Sequence, residues 1–322
     1  MAWLYPSVMA NPPSIHRLTP IFIGGTGRSG TTVLGDLLNE HSQIRTSNPT
    51  EIKFLANRGG FLDVVFGSMT SNVENREKVS LIHWRTYRER KARDRAAREK
   101  RYLEFTSKLW EKWWQIDAPP PHGPGLQAGI SRDVFEALLN NFYKRMNGNT
   151  AKAARKFLDS FITLQSGRKG ERYWAETTPM NISYARRLLQ IYPEAKFIVM
   201  KRDPRDVIAS LLKKDWGPKT PLEGVEWIEA RLRADQEALA FIPSNQVLTL
   251  HLEDLVSENF EVSYAKLLAF LEIADEPGMR EFHRSKMTAE NASSGRWKSE
   301  IDTPDFISAI EAMNLRLEEK KA

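Results

Sequence analysis

The sequence of 322 residues contains no cysteine. Disulfides, thiolate metal sites and cysteine nucleophiles are therefore excluded, and a secreted fold held together by disulfides is not expected. Histidine is also scarce, because only six are present and no two have the spacing of metal ligands on one helix. We therefore expect no metal site, and we expect a protein of the reducing cytoplasm.

Long hydrophobic runs are absent as well. No stretch approaches the roughly 18 consecutive apolar residues that a membrane-spanning helix needs, so we expect no integral membrane segment. Residues 1–19 lack the basic start of a signal peptide and are interrupted by Pro6, Pro12 and Pro13. This composition is typical of a flexible N-terminal lead rather than a targeting signal.

The net charge of +6 is concentrated in one segment. Arg85–Arg101 contains nine basic and three acidic side chains, so the rest of the chain is nearly neutral. A local cluster is not the extended basic surface of a nucleic-acid-binding protein, and we expect no nucleic-acid partner. The segment either attracts an anionic ligand or membrane surface, or is a solvated helix with i,i+4 pairs such as Glu89–Arg93 and Asp94–Arg98.

Short apolar segments alternate with helical patterns along much of the chain. Strands are predicted at residues 20–24, 44–46, 173–175, 196–200 and 246–252. Strands separated by helices indicate an α/β fold, a three-layer sandwich with a central parallel sheet of about five strands flanked by helices. Ligands of such sheets bind at the carboxyl ends of the strands.

The helices of this pattern are predicted less sharply. One is expected from about Glu51 and another over Pro179–Ile191. Residues 61–170 break the alternation of strand and helix, and we expect them to form a helical insertion within a single domain of residues 1–322. Trp110, Trp113 and Trp114 in this insertion either pack between helices or stack on a ligand.

A glycine-rich loop, Gly24–Thr32, joins the first strand to a helix. Glycines let the backbone approach a ligand, and the helix N-terminus favours an anion. Gly25 and Gly30 have the spacing of the nucleotide-kinase loop, but Thr31 occupies the position of its lysine. The cation of this loop is Arg28, whose guanidinium can bind a tetrahedral anion through two nitrogens.

This loop resembles the 5′-phosphosulfate loop of the sulfotransferases that use 3′-phosphoadenosine 5′-phosphosulfate (PAPS), with its [K/R]-x-G-T-[TR] core. The matching residues are Gly27, Arg28, Ser29, Gly30, Thr31 and Thr32. The resemblance is to the glycan, tyrosylprotein and bacterial members, and it implies a P-loop-like fold. It further implies PAPS as the donor, the 3′,5′-bisphosphate PAP as the product, and no metal.

A second segment resembles the 3′-phosphate motif of the same family. That motif consists of a strand, an arginine at its end, an R-[DN]-P-x-D turn and a serine eight residues later. Arg202, Asp203–Asp206 and Ser210 have this order and spacing. The alternative is that Asp203 only caps a helix and that Arg205 and Asp206 are a solvated pair.

Two weaker matches follow the family order. The segment Ser294–Lys298 resembles the G-x-W-[KR] loop that closes over the nucleotide, which implies cofactor contacts for Gly295, Arg296, Trp297 and Lys298. Trp174–Pro179 resembles the G-E-K-[ST]-P segment, but Thr177 replaces the lysine. Any contact that this lysine makes in relatives is therefore not expected here.

The segment Thr50–Phe54 resembles the E-x-x-F segment of glycan sulfotransferases, in which the glutamate is the catalytic base. The resemblance implies that Glu51 takes the proton of the acceptor while Arg28 stabilises the leaving phosphate. The alternative is that Glu51 only favours a helix N-terminus. Lys53 either steadies the sulfonate or is exposed, and His41 is expected to be structural.

The sequence therefore predicts transfer of a sulfuryl group from PAPS to a hydroxyl or amine of a glycan, a lipid or a small molecule. The insertion at residues 61–170 is expected to cover the acceptor site. Two alternatives stay open. One is a P-loop kinase with an unusual loop, and the other is a module that binds nucleotides or polyanions without catalysis.

Overall fold

The computed structural model describes residues 17–68, 84–115, 117, 124–165, 170–257 and 259–319. Most of the predicted N-terminal lead lies outside these residues, as does part of the predicted insertion. No helix in the described part is both long enough and apolar enough to cross a membrane.

The centre of the molecule is a sheet of five parallel strands in the order β2-β3-β1-β4-β5. The strands are β1 Thr19–Gly25, β2 Ile44–Thr46, β3 Tyr173–Glu176, β4 Lys196–Lys201 and β5 Val247–His251. The predicted α/β architecture with about five parallel strands is confirmed. Since the strands are parallel, the segments that follow all five of them lie at one edge of the sheet.

Helices surround this sheet. They are α1 Thr31–Asn39, α2 Phe61–Phe66, α3 Trp84–Lys108, α4 Arg132–Arg145, α5 Thr150–Leu164, α6 Ala185–Ile191, α7 Pro204–Leu212, α8 Pro221–Leu239, α9 Leu252–Leu255, α10 Phe260–Leu271, α11 Pro277–Lys286, α12 Ala289–Ala292, α13 Trp297–Glu300 and α14 Pro304–Glu319. A π-helical turn, Leu109–Trp113, continues α3, and 3₁₀ turns occupy Leu126–Ala128, Pro179–Asn181 and Ser244–Gln246.

Alternate residues of the central strand pack into different cores. Ile21 and Ile23 of β1 join a cluster with α1, α9, α10 and α11 on one face of the sheet. Phe22, between them, joins a cluster on the other face that includes α6 and the helices α2–α5. This follows from the two-residue period of a strand. The helices at residues 61–170 thus share a core with the sheet, and their description as an insertion stays a prediction.

The basic segment lies in α3, where residues 88–97 are all exposed. This placement agrees with a solvated helix. Trp113 and Trp114 are each only 5% exposed, and the Trp114 ring lies 5.9 Å from the ring of Phe135. Helix packing is therefore the role that the structure supports for these two tryptophans.

The prediction of a helix that begins at about Glu51 is wrong. Residues 51–53 have no regular secondary structure, and the next helix begins at Phe61. Lys53 has a left-handed φ of 46°, which an α-helix does not tolerate. The single helix predicted over Pro179–Ile191 is also wrong, because a 3₁₀ turn comes first and α6 starts only at Ala185.

Phe54 anchors this irregular segment in the core. Its side chain is fully buried. The Phe54 ring centroid lies 5.4–6.3 Å from those of Phe61, Phe105, Phe135, Phe157 and Phe161. Aromatic pairs at such distances add to the hydrophobic stabilisation of burial. The chain three residues after Glu51 is therefore fixed to helices α2–α5.

Phe54→Ala should lower the free energy of unfolding by roughly 3–5 kcal/mol, because it leaves a cavity inside an aromatic cluster. Chemical denaturation with urea measures this change. Leu103→Ala is the matched control, since Leu103 is 62% exposed on α3 and its loss should change stability by less than about 0.5 kcal/mol. Equal losses for the two variants would contradict the packing described here.

Candidate active site

The glycine-rich loop connects the end of β1 to the start of α1. Gly27, Arg28 and Gly30 have φ values of 78°, 55° and 92°, so the backbone takes left-handed turns at three positions. A Cβ at Gly30 would lie 2.8 Å from Leu252 Cδ1, so close packing as well as the positive φ requires glycine. Turns of this kind point successive N–H groups into one concavity, which binds anions.

Arg28 joins this loop to the second predicted motif. Its Nε donates a hydrogen bond of 3.0 Å to Ser210 Oγ on α7. Arg202, at the end of β4, donates from Nη1 to the Arg28 carbonyl oxygen at 3.1 Å. The order of the strands explains these contacts, because β1 and β4 are neighbours and both segments leave the sheet at the same edge. Three residues predicted for one site therefore touch.

Asp206 connects the C-terminal motif, residues 294–298, to Arg202. Its carboxylate, which is nearly fully buried, accepts hydrogen bonds from the Gly295 amide at 2.7 Å and the Trp297 amide at 3.2 Å. The same carboxylate lies 3.9 Å from Arg202 Nη2. The guanidinium of Arg205 lies over the Trp297 ring, 3.9 Å from its centroid. The alternative of a solvated Arg205–Asp206 pair is contradicted, because Asp206 is buried and bonded to another loop.

Asp203 caps α7, as its alternative interpretation predicted. Its side chain accepts a hydrogen bond of 2.9 Å from the Arg205 amide and forms an ion pair with the Arg205 guanidinium at 2.7 Å. The Asp203 amide donates to Glu253 Oε1 at 2.8 Å. The turn between β4 and α7 is therefore fixed on both sides, and the direction in which Arg202 leaves the strand is set.

A cavity of about 240 Å³ lies between these segments. Its lining includes Arg28, Gly30, Thr31, Thr32, Arg202, Ser210 and Arg296, all predicted from sequence. Gly27, Ser29, Gly295, Trp297 and Lys298 do not line it. Lys286, Thr288 and Asn291, which sequence reasoning missed, do. No motif marks these three residues, since the fold alone brings α11 and α12 to this edge.

Several buried polar atoms near the cavity lack a hydrogen-bond partner within the described part of the chain. They are Ser29 Oγ, Arg202 Nε and Arg296 Nε. Burial lowers the pKa of Arg202, although the charges of Asp206 and Glu253 oppose this effect. A ligand that supplies anionic oxygens would satisfy such donors and offset the cost of burying the guanidinium.

Glu51 lies in the segment that follows β2, next to the residues that follow β3. The Thr177 amide donates to the Thr50 carbonyl oxygen at 3.3 Å. A Cβ at Gly27 would lie 3.9 Å from the Cβ of Pro179, so the segment after β3 also borders the glycine-rich loop. The segment after β3 therefore contacts both the residue before the predicted base and the glycine-rich loop.

The environment of Glu51 favours a proton acceptor. Burial raises the pKa of the Glu51 carboxyl above its ordinary value, and the nearby charge of Lys53 offsets part of this rise. Burial likewise lowers the pKa of Lys53, and Glu51 opposes that change. A carboxylate with a raised pKa is a stronger base than an exposed one. Lys53 is partly buried rather than exposed.

The contacts of His41 agree with the structural role that we expected for it. Its Nε2 lies 3.2 Å from the Ala274 carbonyl oxygen, and its Nδ1 accepts from the Gln43 amide at 3.1 Å. Its Nε2 also lies 3.4 Å from Glu276 Oε1. Both ring nitrogens are therefore engaged in holding the turn after α1 against the segment before α11.

Asp206→Ala should lower the free energy of unfolding by about 3 kcal/mol, because it leaves two amides without their acceptor and the Arg202 guanidinium without its buried counter-charge. Thermal and urea unfolding measure the loss. Asp215→Ala is the control, as Asp215 is an exposed acid a few residues after the same helix. A wild-type stability for Asp206→Ala would contradict the role of Asp206 in holding the C-terminal loop.

Comparison with known proteins agrees with this fold. Two solved sulfotransferase domains share the fold. The domain of the Synechococcus PCC 7002 olefin synthase is 15% identical, with 98% of each chain covered and a TM-score of 0.50. The domain of the curacin biosynthetic pathway is 12% identical, with 94% of this chain and 98% of that chain covered and a TM-score of 0.51. No curated protein sequence matches the chain. The model of the sulfotransferase family matches residues 20–277, and the chain therefore belongs to this family of enzymes.

Proposed function

We propose that this enzyme transfers the sulfuryl group of PAPS to a hydroxyl or amine of a glycan, a lipid or a small molecule. The observation that carries the proposal is the convergence of Arg28, Arg202, Ser210 and Arg296 on one cavity. A donor with phosphates at both the 3′ and 5′ positions needs several cationic groups, and three arginines line this cavity.

The residues of the cavity divide between the two ends of the donor. Arg202 and Ser210 would hold the 3′-phosphate, because they lie on adjacent elements at the carboxyl end of β4. Arg28, the Thr31 and Thr32 hydroxyls and the amides of residues 30–32 would hold the 5′-phosphosulfate at the start of α1, and Gly27 and Ser29 would shape the loop around it. Gly295, Trp297 and Lys298 do not line the cavity, and their contribution would be to direct Arg296 into it.

The chain's own groups account for the transfer step. Glu51 accepts the proton of the acceptor hydroxyl or amine as its oxygen or nitrogen forms a bond to sulfur and the bond from sulfur to the 5′-phosphate oxygen breaks. Arg28 and the loop amides stabilise the negative charge that appears on that phosphate. PAPS supplies the activated sulfuryl group. The enzyme's contribution is in-line positioning, proton acceptance and charge stabilisation.

The helices at residues 61–170 are proposed to cover the acceptor. Support comes from Phe54, which connects the Glu51 segment to their aromatic cluster. An acceptor that reaches Glu51 from the side opposite the nucleotide would lie beside these helices. A cover of this kind would exclude water, which otherwise competes as an acceptor.

A P-loop kinase would lack its principal phosphate-binding cation in this loop. Thr31 occupies the position of the kinase lysine, and its side chain is buried at the start of α1. The γ-phosphate of a nucleoside triphosphate would then depend on Arg28 alone in this loop. A module that only binds nucleotides is distinguished by experiment, since it would bind PAP but transfer nothing.

Incubation with PAPS labelled in its sulfate group and a panel of glycan, lipid and phenolic acceptors tests the proposed function. Label should pass to an acceptor in excess EDTA, because the loop has no lysine of the kind that acts with magnesium in phosphoryl transfer. Activity that disappears with EDTA and returns with magnesium and ATP would contradict the proposal. PAP binding without transfer to any acceptor would indicate the non-catalytic module.

Glu51→Gln should lower kcat by roughly 10²–10⁴-fold, the usual range for loss of a general base, while the Kd for PAP stays nearly unchanged. Glutamine retains the size and hydrogen bonding of the side chain but cannot take the proton. Arg28→Ala is the comparison, since it should weaken PAP binding and lower kcat together. A Glu51→Gln enzyme with wild-type kcat would show that another group is the base.

A further inference from the structure

Glu176 is the last residue of β3, and its side chain is fully buried. Its Oε1 accepts hydrogen bonds from the Ile52 amide at 3.1 Å, the Thr178 amide at 3.1 Å and Thr178 Oγ1 at 2.6 Å. Its Oε2 accepts from Asn181 Nδ2 at 2.6 Å. All four donors are protein groups, so the carboxylate is not a ligand site but the centre of a hydrogen-bond network.

The contact with Ile52 is the one that reaches the predicted base. Ile52 follows Glu51 directly, and Phe54 is buried in the aromatic cluster. The points that hold the irregular segment thus include the Ile52 amide and the Phe54 ring, and the left-handed turn at Lys53 lies between these two. The Glu51 side chain leaves the backbone one residue before the first of these points.

The charges around Glu176 couple it to the same segment. The pKa of Glu176 is raised to about 7, chiefly by burial and to a lesser extent by the charge of Glu51, although the hydrogen bonds from Thr178, Asn181 and Ile52 oppose this rise. The charged groups of the neighbouring segment are Glu51 and Lys53, which also shift each other's pKa.

We propose that Glu176 is a positioning residue for Glu51. Its carboxylate fixes the Ile52 N–H and thereby holds the backbone of the Glu51 segment where the base can reach the acceptor. The inference rests on the proposed role of Glu51 as the base. It assigns a function to the segment after β3 that does not depend on the lysine missing at Thr177.

A double-mutant cycle tests this inference. Glu176→Ala should lower kcat on the order of 10²-fold, because loss of the Ile52 contact misplaces the base. The KM for PAPS and the Kd for PAP should stay within about threefold of wild type, since the cavity of Arg28 and Arg202 is untouched. Glu176→Gln retains an acceptor oxygen for the Ile52 amide, so its kcat should be at least tenfold higher than that of Glu176→Ala.

The Glu51→Gln background separates positioning from a general structural role. If Glu176 acts through Glu51, adding Glu176→Ala to Glu51→Gln should change kcat by less than about threefold. The same loss in both backgrounds, or a wild-type kcat for Glu176→Ala alone, would overturn the inference. A Glu51→Gln enzyme with wild-type kcat would instead overturn the proposed base, so the two failures are distinguishable.

Thermal unfolding and PAP binding establish that each variant is folded. If Glu176→Ala does not fold, Glu176→Asp replaces it in the same cycle. Aspartate keeps the charge but is one methylene shorter, which withdraws the carboxylate from the Ile52 amide. The same pattern of a loss that disappears in the Glu51→Gln background is expected, and an undiminished loss would again overturn the inference.

Discussion

The hydrogen bond between Arg28 and Ser210 is the contact on which the architecture of the candidate site depends. It spans the two loops that leave neighbouring strands, and the bond from Arg202 to the Arg28 carbonyl oxygen reinforces it. Because β1 and β4 are parallel and adjacent, residues far apart in the chain meet at one edge of the sheet. The cavity that Arg28, Arg202 and Arg296 line lies at this edge, and the proposal of a nucleotide with two separate phosphates rests on it.

A second set of contacts holds the segment that contains the candidate base. The Glu51 segment has no regular secondary structure of its own, so its conformation comes from the Phe54 ring and the Glu176 carboxylate. The first contact belongs to the hydrophobic core and the second to the end of β3, next to the glycine-rich loop. Stability and positioning therefore use the same few residues, and burial at this point also raises the pKa of Glu51.

Much of the fold could be predicted from local patterns. Apolar runs mark the five strands, glycine spacing marks the glycine-rich loop, and an aspartate cap marks the start of α7. Each of these signals lies within a few consecutive residues of the sequence. The helix expected at Glu51 was wrong because distant contacts to Glu176 and the aromatic cluster decide the conformation there. The contacts of Asp206 and Glu176 were missed for the same reason, since several of their partners lie in loops from other parts of the chain. The assignment of individual residues to the donor stays a prediction.

Calorimetric comparison of PAP with adenosine 5′-monophosphate tests the proposed 3′-phosphate site most directly. The wild-type enzyme should bind PAP more tightly by about 2–3 kcal/mol, the scale of a charge-assisted hydrogen bond to the 3′-phosphate. Arg202→Ala should lose this preference while its affinity for the monophosphate stays unchanged. Equal wild-type affinities for the two nucleotides would contradict the account, because Arg202 and Ser210 would then not bind a 3′-phosphate.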